Sequence, residues 1–299
     1  MYIYIKKLKN DEELAKNIDM PKFLKKIAIK LIKIFNIITV KKIDELHYLY
    51  IIPKENIKII QKIINKNSKE KIILSKELKK YEKELNISKK ESIMSFFIYD
   101  ILKYIANNLN IKIELQNLYI LANEYNKENI EIIKYLLNKV KTINIVTNNI
   151  VKYRKLEEKL YNEEGILITI TNNKTKGLKR ANFIINLDFD NETIKNYNMN
   201  MNSIIINCTG NKIDVLKYFQ GIIINDIEIK IEDIEENKEL YKEFDKTEIY
   251  SSFQSEKETY IEAINRTKND KVEVEGLIGM SGNIDVKELL NIRKNLDKM

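Results

Sequence analysis

Within this chain of 299 residues, few side chains have the types and spacing that chemistry requires. His47 is the only histidine and Cys208 the only cysteine, which excludes histidine-rich metal sites and structural zinc sites of the usual ligand types. Cys208 could in principle act as a nucleophile with His47 as its base, although a cysteine at the end of an apolar strand is usually a small core residue. No Walker loop, serine elbow or aspartate-rich magnesium motif is present. What recurs is asparagine, with threonine, directly after short apolar runs. Asn123 follows LYIL, Thr147, Asn148 and Asn149 follow INIV, Asn172 follows ILITI, and Asn207, Thr209 and Gly210 follow III. Amide side chains at such places can hydrogen-bond ribose or phosphate oxygens, and they also favour turns and helix caps for local reasons. These eight residues form the candidate ligand-binding set.

The elements that would position them read as a regular alternation. Leu118–Leu121, Ile143–Val146, Ile166–Ile170, Phe183–Leu187, Ile204–Ile206 and Ile222–Ile224 are short continuous apolar runs. Glu128–Val140 and Val151–Tyr161 carry apolar residues at helical spacing between them. Strands apolar on both faces belong to a parallel sheet covered by helices, and ligands of such sheets sit outside the carboxyl ends of the strands. The middle of the chain is therefore expected to be a Rossmann-like, doubly wound α/β domain. Before it come strand Tyr2–Ile5, a helix after Asp19 and Pro21, strand Tyr48–Ile52, a helix after Pro53, strand Ile72–Ser75 and a long helix from Glu91 to Leu109. After it come the acidic cluster Glu232, Asp233, Glu235 and Glu236, then Gly276, Gly279 and Gly282, expected to make a tight turn or close packing, and a final helix Val286–Leu296.

Charge supports a division into a basic α/β domain at 1–115, a Rossmann-like domain at 116–230 and an acidic linker with a helical tail at 231–299. Residues 1–110 carry +11 and residues 111–299 carry −3. The lysine, isoleucine and asparagine bias throughout is what AT-rich coding would produce, so the net +8 is not in itself a footprint of nucleic acid. Any affinity for polyanions is expected to be weak and non-specific. It would act through Lys22, Lys26, Lys30 and Lys33, opposite Leu24, Ile27, Leu31 and Phe35. The most apolar stretch, Ile27–Val40, is interrupted by lysines and falls short of the roughly 20 residues of a membrane helix. Met1–Asn10 has no signal-peptide pattern, and the lone cysteine fits a reducing cytoplasm.

The run from Leu118 to Phe189 resembles the NAD(P)-binding domain of the shikimate dehydrogenase and glutamyl-tRNA reductase type. INIVTNN followed by VKYRKLEEKL parallels the strand, Asn-Arg-Thr turn and helix of that family, and KRANFIINLDF parallels its alanine-aspartate-hydrophobic-asparagine strand. The resemblance implies NAD(P) as cofactor, but the turn Ala122–Asn129 (ANEYNKEN) lacks the glycines that let backbone N–H groups close on a pyrophosphate. Glu124 and Glu128 would add negative charge there. Asn148 and Asn149 stand where an acidic residue would hold the ribose. Lys76 and Asp100 are nearest in position to the family's catalytic lysine and aspartate, outside a matching motif. The expected function is a degenerate dehydrogenase-like fold acting as a non-catalytic small-ligand sensor or protein-binding scaffold. The alternatives are an NADP-dependent oxidoreductase with a divergent phosphate loop and a nucleic-acid-binding or membrane-surface protein using the amino-terminal lysines.

Overall fold

The computed structural model describes residues 1–11, 21–87, 93–213, 218–231, 238–253 and 258–296. Asp19 as a helix cap, Glu91 as a helix start and the acidic cluster at 232–236 lie outside them. By contacts the chain groups into two compact units, Met1–Lys90 with Ile234–Phe253, and Glu91–Asp233 with Gln254–Met299.

In the first unit, β1 (Tyr2–Lys7), α1 (Lys22–Ile34), β2 (Thr39–Lys42), β3 (His47–Ile52), α2 (Ile57–Lys66) and β4 (Lys71–Leu74) follow one another. They make a four-stranded sheet of order β2-β3-β1-β4, with β1 parallel to β3 and β4, and β2 antiparallel to β3. Alternate residues of β1 point to opposite faces. Ile3 and Ile5 meet Ile60 and Ile63 of α2, whereas Tyr4 meets Leu49, Ile51 and the later residues Leu240, Phe244 and Ile249. Those last residues sit on or beside α7 (Lys238–Glu243) and α8 (Lys246–Ser252), to which they give an apolar face. Pro21 takes the N-cap position of α1 rather than a place inside its first turn, and Asn56 caps α2 by accepting from the N–H of Lys58 at 3.0 Å.

The second unit begins with α3 (Ile98–Leu109) and continues with β5 (Asn117–Leu121), α4 (Lys127–Leu137), β6 (Thr142–Val146), α5 (Ile150–Glu164) and β7 (Thr169–Thr171). Then come β8 (Phe183–Asn186), a short α6 (Asn191–Lys195), β9 (Ile204–Asn207) and β10 (Ile222–Ile224). Every pairing in the sheet β10-β9-β8-β5-β6-β7 is parallel. Counting its strands along the chain, that order is 3-2-1-4-5-6, the order of Rossmann domains, with the topological switch between β5 and β8. The inner strands are buried on both faces, as their unbroken apolar runs require: β8 and β9 are buried at every position, while the edge strand β7 has no buried residue.

The carboxyl-terminal segment is not only helical. β11 (Asp226–Ile231) and β12 (Val272–Ile278) form an antiparallel pair, with α9 (Tyr260–Asn269) between them and α10 (Val286–Leu296) after them. Gly276 faces Glu228 next to a register shift, where an added Cβ would lie 2.9 Å from the Glu228 carboxylate. Gly279 donates to the Gly282 carbonyl at 2.7 Å, and Gly282 has φ 121°, a turn conformation open to glycine. No helix among the described residues is long and apolar enough to cross a membrane.

Candidate functional site

The switch point places the first turn of the Rossmann sheet, after β5, beside the end of β8. In a dinucleotide-binding domain this is where backbone N–H groups and a helix amino terminus receive a pyrophosphate. Here those donors are already taken. The Asp188 carboxylate accepts from the N–H of Asn123 at 2.7 Å and of Glu124 at 2.8 Å, and from the Asn129 side-chain amide at 3.0 Å. Asn129 in turn donates to the Glu124 carbonyl at 2.9 Å, and Asn126 caps α4 by accepting from the Asn129 N–H at 2.8 Å. The Tyr153 hydroxyl, from α5, donates to the Glu124 carbonyl at 2.8 Å. A carboxylate of this chain thus occupies the nest of amides where a phosphate group would sit.

Burial pushes the Asp188 carboxyl above the usual carboxylate range, while the two backbone N–H groups and the Asn129 amide pull it back. The three donors favour the charged form, and burial outweighs them. Burial, helped by the Asp188 charge, also raises the Tyr153 phenol.

The candidate residues fall into two groups along the carboxyl edge of the sheet. Asn123, Thr147, Asn148 and Asn149 come together at the ends of β5 and β6. The Asn123 side-chain oxygen accepts from the Asn148 N–H at 2.8 Å, and the Thr147 hydroxyl accepts from the Asn149 N–H at 2.9 Å. Asn149 precedes α5 without capping it through its side chain. Asn148 and Asn172 are exposed. The Thr147 bond is local, of the kind threonine makes in turns, whereas the Asn123 bond joins two strand ends 25 residues apart.

The second group is a ladder of buried amides. Asn186 at the end of β8 is in register with Asn207 at the end of β9. Asn186 Nδ2 donates to the Asn207 Oδ1 at 3.1 Å and to the Phe189 carbonyl at 3.0 Å, and its Oδ1 accepts from the Phe189 N–H at 2.9 Å. Asn207 Nδ2 donates to the Asn225 Oδ1 at 2.8 Å and the Asn211 carbonyl at 2.6 Å, while the Thr209 hydroxyl donates to Asn207 Oδ1 at 3.0 Å. Gly210 takes φ 71° in the same turn. Asn225 Nδ2 is buried and has no hydrogen-bond partner among the described residues.

Sequence reasoning missed Asp188, Asn129, Tyr153, Asn186 and Asn225. Asp188 carried a legible signal, an acidic residue two positions past a buried strand beside the switch point. Asn186 could have been found as a polar residue ending an otherwise apolar run.

The other candidates are structural. His47 is buried in the first unit, with Nδ1 2.7 Å from Asp44 Oδ1 and Nε2 3.0 Å from the Ser252 carbonyl oxygen, and its ring is stacked on Phe253 at 4.1 Å between centroids. Both ring nitrogens are engaged by residues of the first unit. Desolvation pushes the Cys208 thiol far above its usual range. A thiol so placed stays protonated and unreactive. Iodoacetamide at mildly alkaline pH is therefore expected to label the native protein at least about tenfold more slowly than the denatured chain. Equal rates would contradict the raised thiol. Lys76 is exposed in the first unit, and Asp100 lies on α3 in the second, 3.8 Å from Lys103. Among the described residues no group of three or more histidine, cysteine, aspartate or glutamate side chains could hold a metal ion.

No protein-family profile matches the chain, and no curated protein matches it. Among solved structures it is similar to L-tryptophan dehydrogenase from Nostoc punctiforme, at 10% identity and a TM-score of 0.28 over 99% of this chain and 78% of that one. The fold assignment rests on the strand order and the parallel pairing.

Proposed function

We propose that this chain is a two-domain, non-catalytic Rossmann-like protein whose dinucleotide crevice is closed from within, and that it serves as a small-ligand sensor or protein-binding scaffold. One observation carries this reading: the Asp188 carboxylate holds the N–H groups of Asn123 and Glu124. A diphosphate approaching them meets a like charge and donors already engaged, in a turn without glycine. Exposed amides at Asn148 and Asn172, after the neighbouring strands β6 and β7, are the groups we assign to contacts with a small polar ligand. A reducing cytoplasm is the compartment we assign to a chain with a single free thiol.

Titration calorimetry with NADH and NADPH tests the reading. No saturable binding is expected below about millimolar dissociation constants, which correspond to about 4 kcal/mol. Micromolar binding would overturn it. If replacement of Asn148 or Asn149 then weakened NADPH selectively, the chain would be an oxidoreductase with a divergent phosphate loop.

A further inference from the structure

Helix α1 has an apolar side that is exposed among the described residues. Ile29 is buried and Ile32 partly buried in the cluster with Tyr4, Leu8 and Leu49, which fixes the side of the helix that faces the core of the first unit. Phe23, Ile27, Leu31 and Ile34 lie on another side at spacings of four, four and three residues, with Leu24 and Phe35 beside them. All six are exposed, Phe23 at 73% and Ile34 and Phe35 at 68% each. Lys26, Lys30 and Lys33 form a third row along the helix, the first two exposed and the third paired with Asp11. The helix carries five lysines and no acidic residue.

We propose that this side of α1 docks onto the surface of an anionic lipid bilayer, with the phenylalanine and isoleucine side chains in the headgroup boundary and the lysine row against the lipid phosphates. Charge complementarity selects that occupant. An apolar stripe alone would suit many partners, but a stripe bordered by a row of lysines, of which Lys26 and Lys30 are exposed, matches a surface that is apolar below and anionic above. Nucleic acid would engage the lysines and leave Phe23, Ile34 and Phe35 in water. With 13 residues, and about 1.5 Å of rise for each, the helix is about 20 Å long. That is too short to span a hydrocarbon core of about 30 Å, so it lies in the plane of the interface.

The full-length protein tests this by co-sedimentation with vesicles of phosphatidylcholine alone and of phosphatidylcholine mixed with phosphatidylglycerol. Binding is expected to the mixed vesicles, with little to the neutral ones, and to weaken with salt. Phe23→Ser with Phe35→Ser should lower the partition coefficient by about tenfold or more. Lys26→Gln with Lys30→Gln should lower it about fivefold per lysine, the equivalent of about 1 kcal/mol each. All four positions are exposed, so unchanged thermal unfolding is the expected control. The chain has no tryptophan, so Phe23→Trp supplies a single reporter whose emission should shift to the blue on mixed vesicles. Absence of binding to mixed vesicles would overturn the proposal. So would binding that survives the phenylalanine changes, which would mark a plain polyanion surface, or a dimer in sedimentation velocity that those changes dissociate.

Discussion

Replacing Asp188 with alanine is expected to raise the affinity of the protein for inorganic diphosphate by about tenfold, equivalent to about 1.4 kcal/mol. The change removes a unit charge from the nest, which at about 4 Å is worth about 1 kcal/mol even in water, and releases the N–H groups of Asn123 and Glu124. The same change should cost about 1–3 kcal/mol of stability, because the Asn129 amide and the backbone donors lose their acceptor. Urea unfolding and calorimetry on one preparation measure both. Lower stability without any gain in diphosphate affinity would mean that the missing glycines, not Asp188, close the site.

Asn207→Leu is expected to be more damaging to the fold, at about 3–5 kcal/mol, because one side chain joins Asn186, Thr209, Asn211 and Asn225. Leucine is of similar size but leaves each of these partners short of a bond at a buried strand end. If the ladder acts as a unit, Asn186→Ala in the Asn207→Leu background should cost much less than it does alone. Additive losses in a double-mutant cycle would show independent local bonds instead.

The Rossmann-like sheet was legible because strands buried on both faces must be apolar throughout, and runs such as FIINL and III announce that burial directly. Strand ends were legible to within about two residues for the same reason, except at β7, which starts at Thr169 and not at Ile166. β11 and β12 were not read, although IEIKI and VEVEG alternate as a half-exposed antiparallel pair should. Contacts also group the chain differently from the segments 1–115, 116–230 and 231–299. α3 packs with β12 and α10, and α7 and α8 supply Leu240, Phe244 and Ile249 to the core under β1. Such returns of the chain depend on distant apolar faces finding one another, and no local pattern encodes them.

The site was half legible. Composition and position marked the strand-end amides, and the structure brings Asn123, Thr147, Asn148 and Asn149 together. The decisive contact, however, joins residues 65 positions apart. Glutamates in the turn were expected to supply the repelling charge. Glu124 adds repulsion and also contributes its backbone N–H, and the carboxylate held in the nest is that of Asp188. A carboxylate's partner across a sheet depends on strand order, which periodicity alone leaves open.

Amide proton shifts of Asn123 and Glu124, followed by NMR against pH and then against added NADPH, test the closed crevice most directly. Because the folded Asp188 value lies above the ordinary 3.8, the part of the stability that depends on its protonation is fully present below that value and is lost as pH rises through the raised one. Both amides should therefore move together in one titration whose midpoint lies above 3.8, and at neutral pH neither should respond to NADPH below about millimolar concentrations. Two amides that ignore the titration, yet shift in a saturable way with micromolar NADPH, would show that the nest is open and serves the cofactor.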